Sequence, residues 1–286
     1  MINFFFIGFI TYAIFSILKL ILVFLVSRYY KENYIDNLDF SFKVFILESF
    51  IYASIFSGFG LISNSKFDNV IVSIVASVFL IALIPTYAYV LSPFRYLLMT
   101  NKYIKDSKID QLMINEEIDY KVRIIDAKVI NAYATGILPF TKIILIGKPL
   151  VNSLSQSELK SIIFHEIGHL QKRHLSKLYI ISILVVVISY FIFLFRGSFQ
   201  FKNEVLNVAS IGLVGAIMGF LIWIIPSKIQ YKFEFEADLF SSRKNGKINL
   251  IDALNKLDIL SNGEVSKGGI THPTLNKRIQ NLKDEI

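Results

Sequence analysis

The chain contains no cysteine among its 286 residues. A disulfide-stapled secreted domain is therefore excluded, and any metal site must be built from histidines and carboxylates, because no thiolate is available. Charged residues are also scarce, at 18% of the chain, against about 25% in an average soluble domain. Hydrophobic residues make up 54%, so the composition favours a membrane protein and excludes a disordered or collagen-like chain.

Five segments are long and apolar enough to cross about 30 Å of hydrocarbon, which takes roughly 20 helical residues. They are Phe4–Ser27, Val44–Ser63, Val70–Ser92, Leu178–Phe195 and Val205–Ile225. The first lacks a basic n-region and is too long for the apolar part of a signal peptide, so we expect it to be retained. On this background the net charge of +8 indicates basic faces at a membrane. We therefore expect a lipid bilayer, and no nucleic acid, as partner.

The polar stretches predict one soluble domain built from two pieces. We expect a transmembrane region of three helices at 1–95, a first domain piece at 96–177, a transmembrane hairpin at 178–227 and a second piece at 228–286. The loop Arg196–Glu204 is so short that it permits only a hairpin. Both pieces must then lie on the same side of the membrane.

The positions of lysine and arginine predict which side that is. With the N-terminus outside, the exterior loops hold only Lys66, Arg196 and Lys202, and Lys19 lies within a helix. The other 26 of the 30 basic residues then lie on the cytoplasmic side. We therefore predict a multi-pass protein of the cell (inner) membrane with a cytoplasmic domain.

Short strands and several helices are predicted within the soluble pieces. Tyr120–Val129 and Thr141–Ile146 are rich in Val and Ile and alternate in part, as strands do. Ser155 and Glu158 form a Ser-x-x-Glu capping box, which predicts the start of a helix. Three later helices are predicted at Ile229–Arg243, Asn249–Leu260 and Thr274–Lys283.

The capped helix carries the sequence His165-Glu-Ile-Gly-His169. Residues four apart lie on the same face of a helix, so the two histidines can converge on one metal ion. Glu166 lies one step round the helix and can reach a water on the open side of the metal, as a general base. Two helical histidines beside a solvated glutamate are the alternative, but this spacing favours a catalytic zinc site.

Catalytic zinc normally takes three protein ligands, and the residues alone leave the third open. The candidates are His174, Glu204, Glu234, Glu236, Asp238 and His272. Glu204 falls on the far side of the membrane in the predicted topology. Glu234 and Asp238 are one helical turn apart, so one could bind zinc while the other orients a ligating imidazole. Glu236 points about 160° away from Glu234 on a helix with 3.6 residues per turn, so we expect it to have no part in the site.

Four segments in order resemble the membrane zinc metallopeptidase family that includes bacterial HtpX and the type I CAAX prenyl endopeptidases. They are Asn131-Ala-Tyr-Ala-Thr-Gly136, the zinc helix from His165 to His174, Glu234-Phe-Glu-Ala-Asp238 and Thr271-His-Pro-Thr-Leu-Asn-Lys-Arg278. The two apolar segments that precede Glu234 match as well. The resemblance covers Asn131 to Leu282. Together with the five apolar segments, it implies an α+β membrane protein with about five transmembrane helices and a mainly helical, zincin-like metalloprotease domain that carries a small β-sheet.

The resemblance also implies a role for each residue of the site. One zinc ion per chain would be held by His165, His169 and Glu234, with Glu166 as the catalytic base. Asp238 would hold a zinc-bound imidazole in the right tautomer. His174 would be structural or would support a ligand from behind.

Three further residues are implied near the substrate. His272 resembles a family histidine that could donate to the oxyanion, and the alternative is a histidine that caps the turn before Pro273. Arg278 could clamp a substrate or a carboxylate, or form only an ion pair. The segment that begins at Asn131, or the strand at Thr141–Ile146, would pair with extended substrate by strand addition.

The predicted function is hydrolysis of peptide bonds in membrane or misfolded proteins at the cytoplasmic face, as in HtpX-like quality control. Site-specific processing of a lipidated or peptide substrate, as in CAAX prenyl endopeptidases, is the alternative. A signalling peptidase resembling BlaR/MecR has less support, because no sensor domain follows the last apolar segment. An inactive scaffold would be expected to lose Glu166 first. In every active case the partners are polypeptides.

Overall fold

The computed structural model describes residues 42–64, 70–92, 103–126, 129–199 and 201–284, with scattered positions between 6 and 17. The chain divides into two units, one made of Met1–Ile84 and Phe94–Asn101, the other of Pro85–Pro93 and Lys102–Ile286. The predicted hairpin at 178–227 therefore belongs to the same unit as the second predicted domain piece and as the first piece from Lys102 onward.

The described part of the chain is mainly helical. In chain order the helices are α1 (Phe42–Asn64), α2 (Val70–Tyr89), α3 (Ser107–Asn115), α4 (Lys148–Ser153), α5 (Gln156–Gln171), α6 (His174–Gly197), α7 (Glu204–Asn245), α8 (Lys247–Leu260), α9 (Glu264–Lys267) and α10 (Leu275–Asp284). The strands are β1 (Tyr103–Ile104), β2 (Lys121–Ile125), β3 (Ala132–Thr135) and β4 (Ile143–Gly147).

Within the described ranges, four helices are long and apolar enough to cross a membrane by length and composition. They are α1, α2, α6 and α7, and they correspond to four of the five predicted segments. Large apolar side chains such as Val205 and Trp223 are exposed on these helices, as expected where lipid takes the place of water. The fifth predicted segment, Phe4–Ser27, lies largely outside the described residues.

The small sheet has the strand order β1-β2-β4-β3. β2 runs parallel to β4, whereas β1 and β3 run antiparallel to their neighbours. The predicted strands correspond to β2 and β4, while β1 and β3 were not predicted because each has four residues or fewer. Since β4 lies inside the sheet, the alternative that Thr141–Ile146 pairs with substrate is wrong. β3, from the segment that begins at Asn131, is the edge strand on that side.

Helix α5 packs against this sheet and forms the main core. Ile144 and Ile146 of β4 are fully buried together with Ile163 and Ile167 of α5. The isoleucines are two apart in the strand and four apart in the helix, which puts each pair on one face. Packing against the core therefore fixes the rotation of α5 about its own axis.

Helix α7 differs from the prediction, because the apolar segment and the expected helix Ile229–Arg243 form one continuous helix. Pro226 lies inside it and cannot donate to the carbonyl four residues earlier. The Ser227 hydroxyl donates to the Trp223 carbonyl at 2.8 Å, which is an additional side-chain bond in the same turn. The predicted domain boundary at 227 thus falls within a helix, and the apolar half of α7 leads directly into its polar half.

The C-terminal helices form a second core. α8 and α10 correspond to the predicted helices Asn249–Leu260 and Thr274–Lys283. Leu250 and Leu254 of α8 are buried with Leu275 and Leu282 of α10. This contact holds α10, and with it Arg278, in a fixed position.

Candidate metal centre

Helix α5 begins with the predicted capping box. The Glu158 backbone N–H donates to the Ser155 hydroxyl, and the Glu158 carboxylate accepts from the Ser155 N–H. The box satisfies donors that the first turn leaves without partners. His165, Glu166 and His169 then lie in the buried second half of this helix.

A glycine brings the second half of the site close to the first. A Cβ at Gly168 would lie 3.2 Å from the Ala237 Cα and from Phe240 on α7, which is closer than nine in ten Cβ contacts. The missing side chain thus lets the backbones of α5 and α7 approach each other. Glu234 and Asp238, which flank Ala237 on α7, are buried opposite the histidines.

Three side chains from these two helices converge. His165 Nε2 lies 3.2 Å from His169 Nε2, and each nitrogen is 3.5 Å from an oxygen of Glu234. A tetrahedral zinc site with bonds of about 2.0–2.1 Å separates its ligand atoms by about 3.3 Å. The separations and the donor types, two imidazoles and a carboxylate, both fit zinc. In the described part of the chain, these three residues are the group that could hold a metal ion.

The charges of this group are strongly perturbed. Burial alone lowers the pKa of His165, but the contacts with Asp238 and Glu234 outweigh it and raise the pKa to about 10. Burial and the neighbouring His165 lower the pKa of His169 to about 3. Burial opposes ionisation of Glu234, yet His165 and His169 lower its pKa well below the ordinary value. The site thus holds a carboxylate and an unprotonated imidazole at neutral pH, both of them potential ligands.

Glu166 lies beside this group with little access to water. Burial raises the pKa of its carboxyl to about 7. The carboxylate also accepts a hydrogen bond from the Ala134 backbone N–H of β3. A carboxyl with a pKa near neutrality can accept and return a proton under ordinary conditions.

Behind His165 lies a fully buried ion pair. Asp238 Oδ1 is 2.9 Å from His165 Nδ1, in a close but poorly aligned contact. Arg278 donates to both Asp238 oxygens, from Nε at 2.7 Å and from Nη2 at 2.5 Å. Burial opposes the charge on Asp238, but Arg278 lowers its pKa below the ordinary value. Of the alternatives for Arg278, the geometry therefore displays the ion pair, which holds Asp238 against His165.

Behind His169 lies a different arrangement. Nδ1 of His169 is 3.0 Å from Nδ1 of His174, and Nε2 of His174 is 3.3 Å from Glu236 Oε2. Helical spacing predicts no role for Glu236, because the residue points away from Glu234, yet the structure places its carboxylate beside His174. The useful signal was the third histidine, His174, whose second nitrogen needs a partner once the first faces His169.

The two remaining predicted residues are His272 and Asn131. The His272 side chain is 51% exposed, with Nε2 3.6 Å from Glu234 Oε1 and Nδ1 2.9 Å from the Thr271 hydroxyl. Asn131 immediately precedes the edge strand β3, and its side-chain oxygen accepts from the Ala132 N–H. His272 is thus near the proposed ligands, whereas Asn131 shapes the start of β3.

Curated proteins of two kinds are similar to the chain. It is 29% identical over 196 residues to Protease HtpX of Wigglesworthia glossinidia brevipalpis, covering 57% of this chain and 66% of that protein. It is 33% identical over 183 residues to CAAX prenyl protease 1 of Saccharomyces cerevisiae, covering 53% of this chain and 40% of that protein. The chain thus spans less than two thirds of the length of these relatives.

A solved structure has the same fold. The match to the crystal structure of S. mikatae Ste24p covers 95% of this chain and 75% of the Ste24p chain, with a TM-score of 0.62 and 21% sequence identity. Residues 102–286 match the sequence profile described as Peptidase family M48. These residues include all those brought together in the candidate site, and the chain belongs to Peptidase family M48.

Proposed function

We propose that the chain is a membrane zinc endopeptidase that hydrolyses peptide bonds of membrane or misfolded proteins at the cytoplasmic face. The observation that carries the proposal is the convergence of His165, His169 and Glu234 within 3.5 Å of one another. A buried carboxyl with a raised pKa, Glu166, lies beside them. Membership of a peptidase family supports the same chemistry.

The proposed metal ligands are these three residues, with one zinc ion per chain. When bound, zinc supplies Lewis-acid activation of water and of the scissile carbonyl. Glu166 takes the proton of the attacking water and passes it to the leaving amine. With a pKa of about 7 in the metal-free protein, it can exist in both forms that this shuttle needs.

Two other elements would handle the substrate. β3 is an edge strand, so an extended peptide can pair with its backbone by strand addition beside Glu166. Asn131 immediately precedes this strand and accepts a hydrogen bond from the N–H of its first residue, Ala132. His272 is half-exposed and within 3.6 Å of Glu234, where its Nε2 could donate to the developing oxyanion.

The test of this mechanism is the variant Glu166→Gln in the full-length chain. It should bind zinc as the unmodified protein does, because the three ligands remain. Cleavage of an unfolded reporter polypeptide should fall by about 100- to 10,000-fold, because the base is lost. Zinc content by elemental analysis and cleavage by gel electrophoresis would be measured on the same preparation.

Glu264→Gln is the matched control, because Glu264 lies on the short helix α9 and pairs only with the exposed Lys267 among the contacts described. It should keep both zinc and activity. Near-normal proteolysis by Glu166→Gln would remove Glu166 as the base. Absence of zinc from the unmodified chain would overturn the metal site itself.

The cytoplasmic orientation rests on the distribution of basic residues and can be tested by cysteine labelling. The native chain has no cysteine, so single substitutions give a clean signal. Ser198→Cys, in the loop between α6 and α7, should react with a membrane-impermeant thiol reagent in intact cells. Ser107→Cys should react only after lysis. Labelling of Ser107→Cys in intact cells would place the proposed protease outside and exclude cytoplasmic quality control.

Site-specific processing is the second candidate, and the 33% identity to CAAX prenyl protease 1 favours it. The two functions differ in what limits cleavage. A processing enzyme should cut a prenylated peptide at one bond and ignore the same peptide without its lipid. A quality-control enzyme should cut unfolded polypeptides at many bonds regardless of lipid.

A further inference from the structure

The break between α5 and α6 turns His174 back towards the proposed metal site. In one continuous helix, residues five apart point about 140° away from each other. Here α5 ends at Gln171, and Arg173 takes a left-handed conformation with φ 56° before α6 begins. The rings of His169 and His174 consequently meet edge to face, with centroids 5.0 Å apart and their Nδ1 atoms 3.0 Å apart.

This contact restricts which protons the two rings can carry. A ring nitrogen that binds metal must offer a lone pair, so His169 can ligate through Nε2 only if its proton is on Nδ1. That N–H then donates to Nδ1 of His174, which must be unprotonated to accept it. His174 is left with its proton on Nε2, and this proton needs an acceptor.

Glu236 provides that acceptor. Its Oε2 lies 3.3 Å from His174 Nε2, and an ionised carboxylate can only accept. Lys172 contacts the same oxygen at 3.4 Å, and the Glu236 side chain is 43% exposed. The negative charge is therefore stabilised at the surface, while His174 is almost fully buried.

We infer that Glu236, acting through His174, positions His169 as a metal ligand by keeping the His169 proton on Nδ1. The inference rests on the proposed function, since it takes His169 as a zinc ligand. It makes Glu236 and His174 positioning residues that do not touch the substrate. It also replaces the expectation that Glu236 has no part in the site.

Packing is the competing explanation for His174. Its ring stacks on Phe233, with centroids 4.1 Å apart and planes within 4°. A phenylalanine at position 174 keeps a stacking ring but has no nitrogen. A glutamine has no ring to stack on Phe233, but it offers an amide N–H to Glu236 and a carbonyl oxygen to His169. The pair His174→Phe and His174→Gln therefore separates stacking from hydrogen bonding.

The experiment measures zinc affinity of the full-length chain by competition with a chelator, and the melting temperature of the metal-free form. Removal of an outer partner of a ligating histidine commonly lowers metal affinity by about 10- to 100-fold. We expect that loss in His174→Phe and Glu236→Leu, with partial recovery in His174→Gln and Glu236→Gln. Melting temperatures of the Glu236 variants should stay close to that of the unmodified chain, because Glu236 is half-exposed.

Lys172→Met is the matched control, because it removes the other partner of the Glu236 carboxylate and leaves His174 in place. It should change zinc affinity by less than about threefold, as an exposed charge contributes little. An equal loss of zinc affinity in Lys172→Met would show that the loss comes from a change in surface charge and that the hydrogen bonds from Glu236 to His169 are not its cause. Unchanged affinity in Glu236→Leu and His174→Phe would overturn the inference while leaving the metal site intact. An unmodified chain that binds no zinc would overturn both.

Discussion

His165 and His169 lie one turn apart on α5, but the groups behind their rings differ in burial and charge. His165 contacts Asp238, which is 0% exposed and held by the buried Arg278. His169 contacts another imidazole, that of His174, and the partner of His174 is the half-exposed Glu236. One support is a buried ion pair, and the other ends at the protein surface.

The pKa values of the two histidines differ accordingly. Asp238 helps to raise the pKa of His165 to about 10, whereas burial without a direct carboxylate partner at Nδ1 lowers the pKa of His169 to about 3. A buried ion pair is costly to break on one side, because the remaining charge stays out of water. The comparison teaches that the support of His165 belongs to the fold as well as to the site. We expect that Glu236, the exposed end of the support of His169, can be altered with little effect on folding.

The largest effect is expected at Glu234, the proposed ligand that contacts both histidines. Glu234→Ala should lose zinc and proteolysis together, because two imidazoles alone give fewer protein ligands than catalytic zinc normally takes. Glu236→Ala should bind zinc only about 10- to 100-fold more weakly. Metal content after gel filtration measures both. Equal losses in the two variants would contradict the assignment of Glu234 as third ligand.

The next largest effect is expected on folding stability, and it concerns the ion pair that supports His165. Arg278→Leu leaves Asp238 buried without its cation and should lower the free energy of unfolding by about 3–5 kcal/mol. Denaturant unfolding of the metal-free chain measures the change. Lys148→Met is the control, because it breaks the exposed pair between Lys148 and Asp126, worth about 0–1 kcal/mol. If both variants lost the same stability, the buried Arg278–Asp238 pair would contribute no more to folding than the exposed Lys148–Asp126 pair.

The sequence predicted one support better than the other, for a geometric reason. Asp238 lies one helical turn from Glu234, so regular helical spacing was enough to place it near a ligating imidazole. The contact of His174 with His169 requires the left-handed Arg173, and no proline or glycine marks that break. Glu236 became relevant only once His174 was turned towards it. The relative direction of two residues in one helix follows from their spacing, whereas a contact across a helix break depends on the backbone conformation at the break.

Other parts of the fold show the same limit. The capping box predicted the start of α5, and the Val and Ile content of β2 and β4 predicted two strands. β3 has only four residues, Ala132–Thr135, and is a strand because β4 pairs with it. Tertiary pairing thus produced the edge strand beside Glu166, which its own short sequence could not specify.

The smallest expected effect uses the difference in pKa between the two histidines. In the metal-free chain His165 is protonated up to about pH 10 and His169 is neutral, so zinc must displace a proton from His165 to bind. Since the metal competes with a proton, zinc affinity should rise by about tenfold per pH unit between about pH 7.5 and 9. Calorimetry in buffers of different ionisation enthalpy should detect release of close to one proton. Asp238→Asn should lower the pKa of His165 and reduce that release. Affinity that does not change with pH would mean that Asp238 and Glu234 do not hold a proton on His165, and the contrast between the two histidines would be lost.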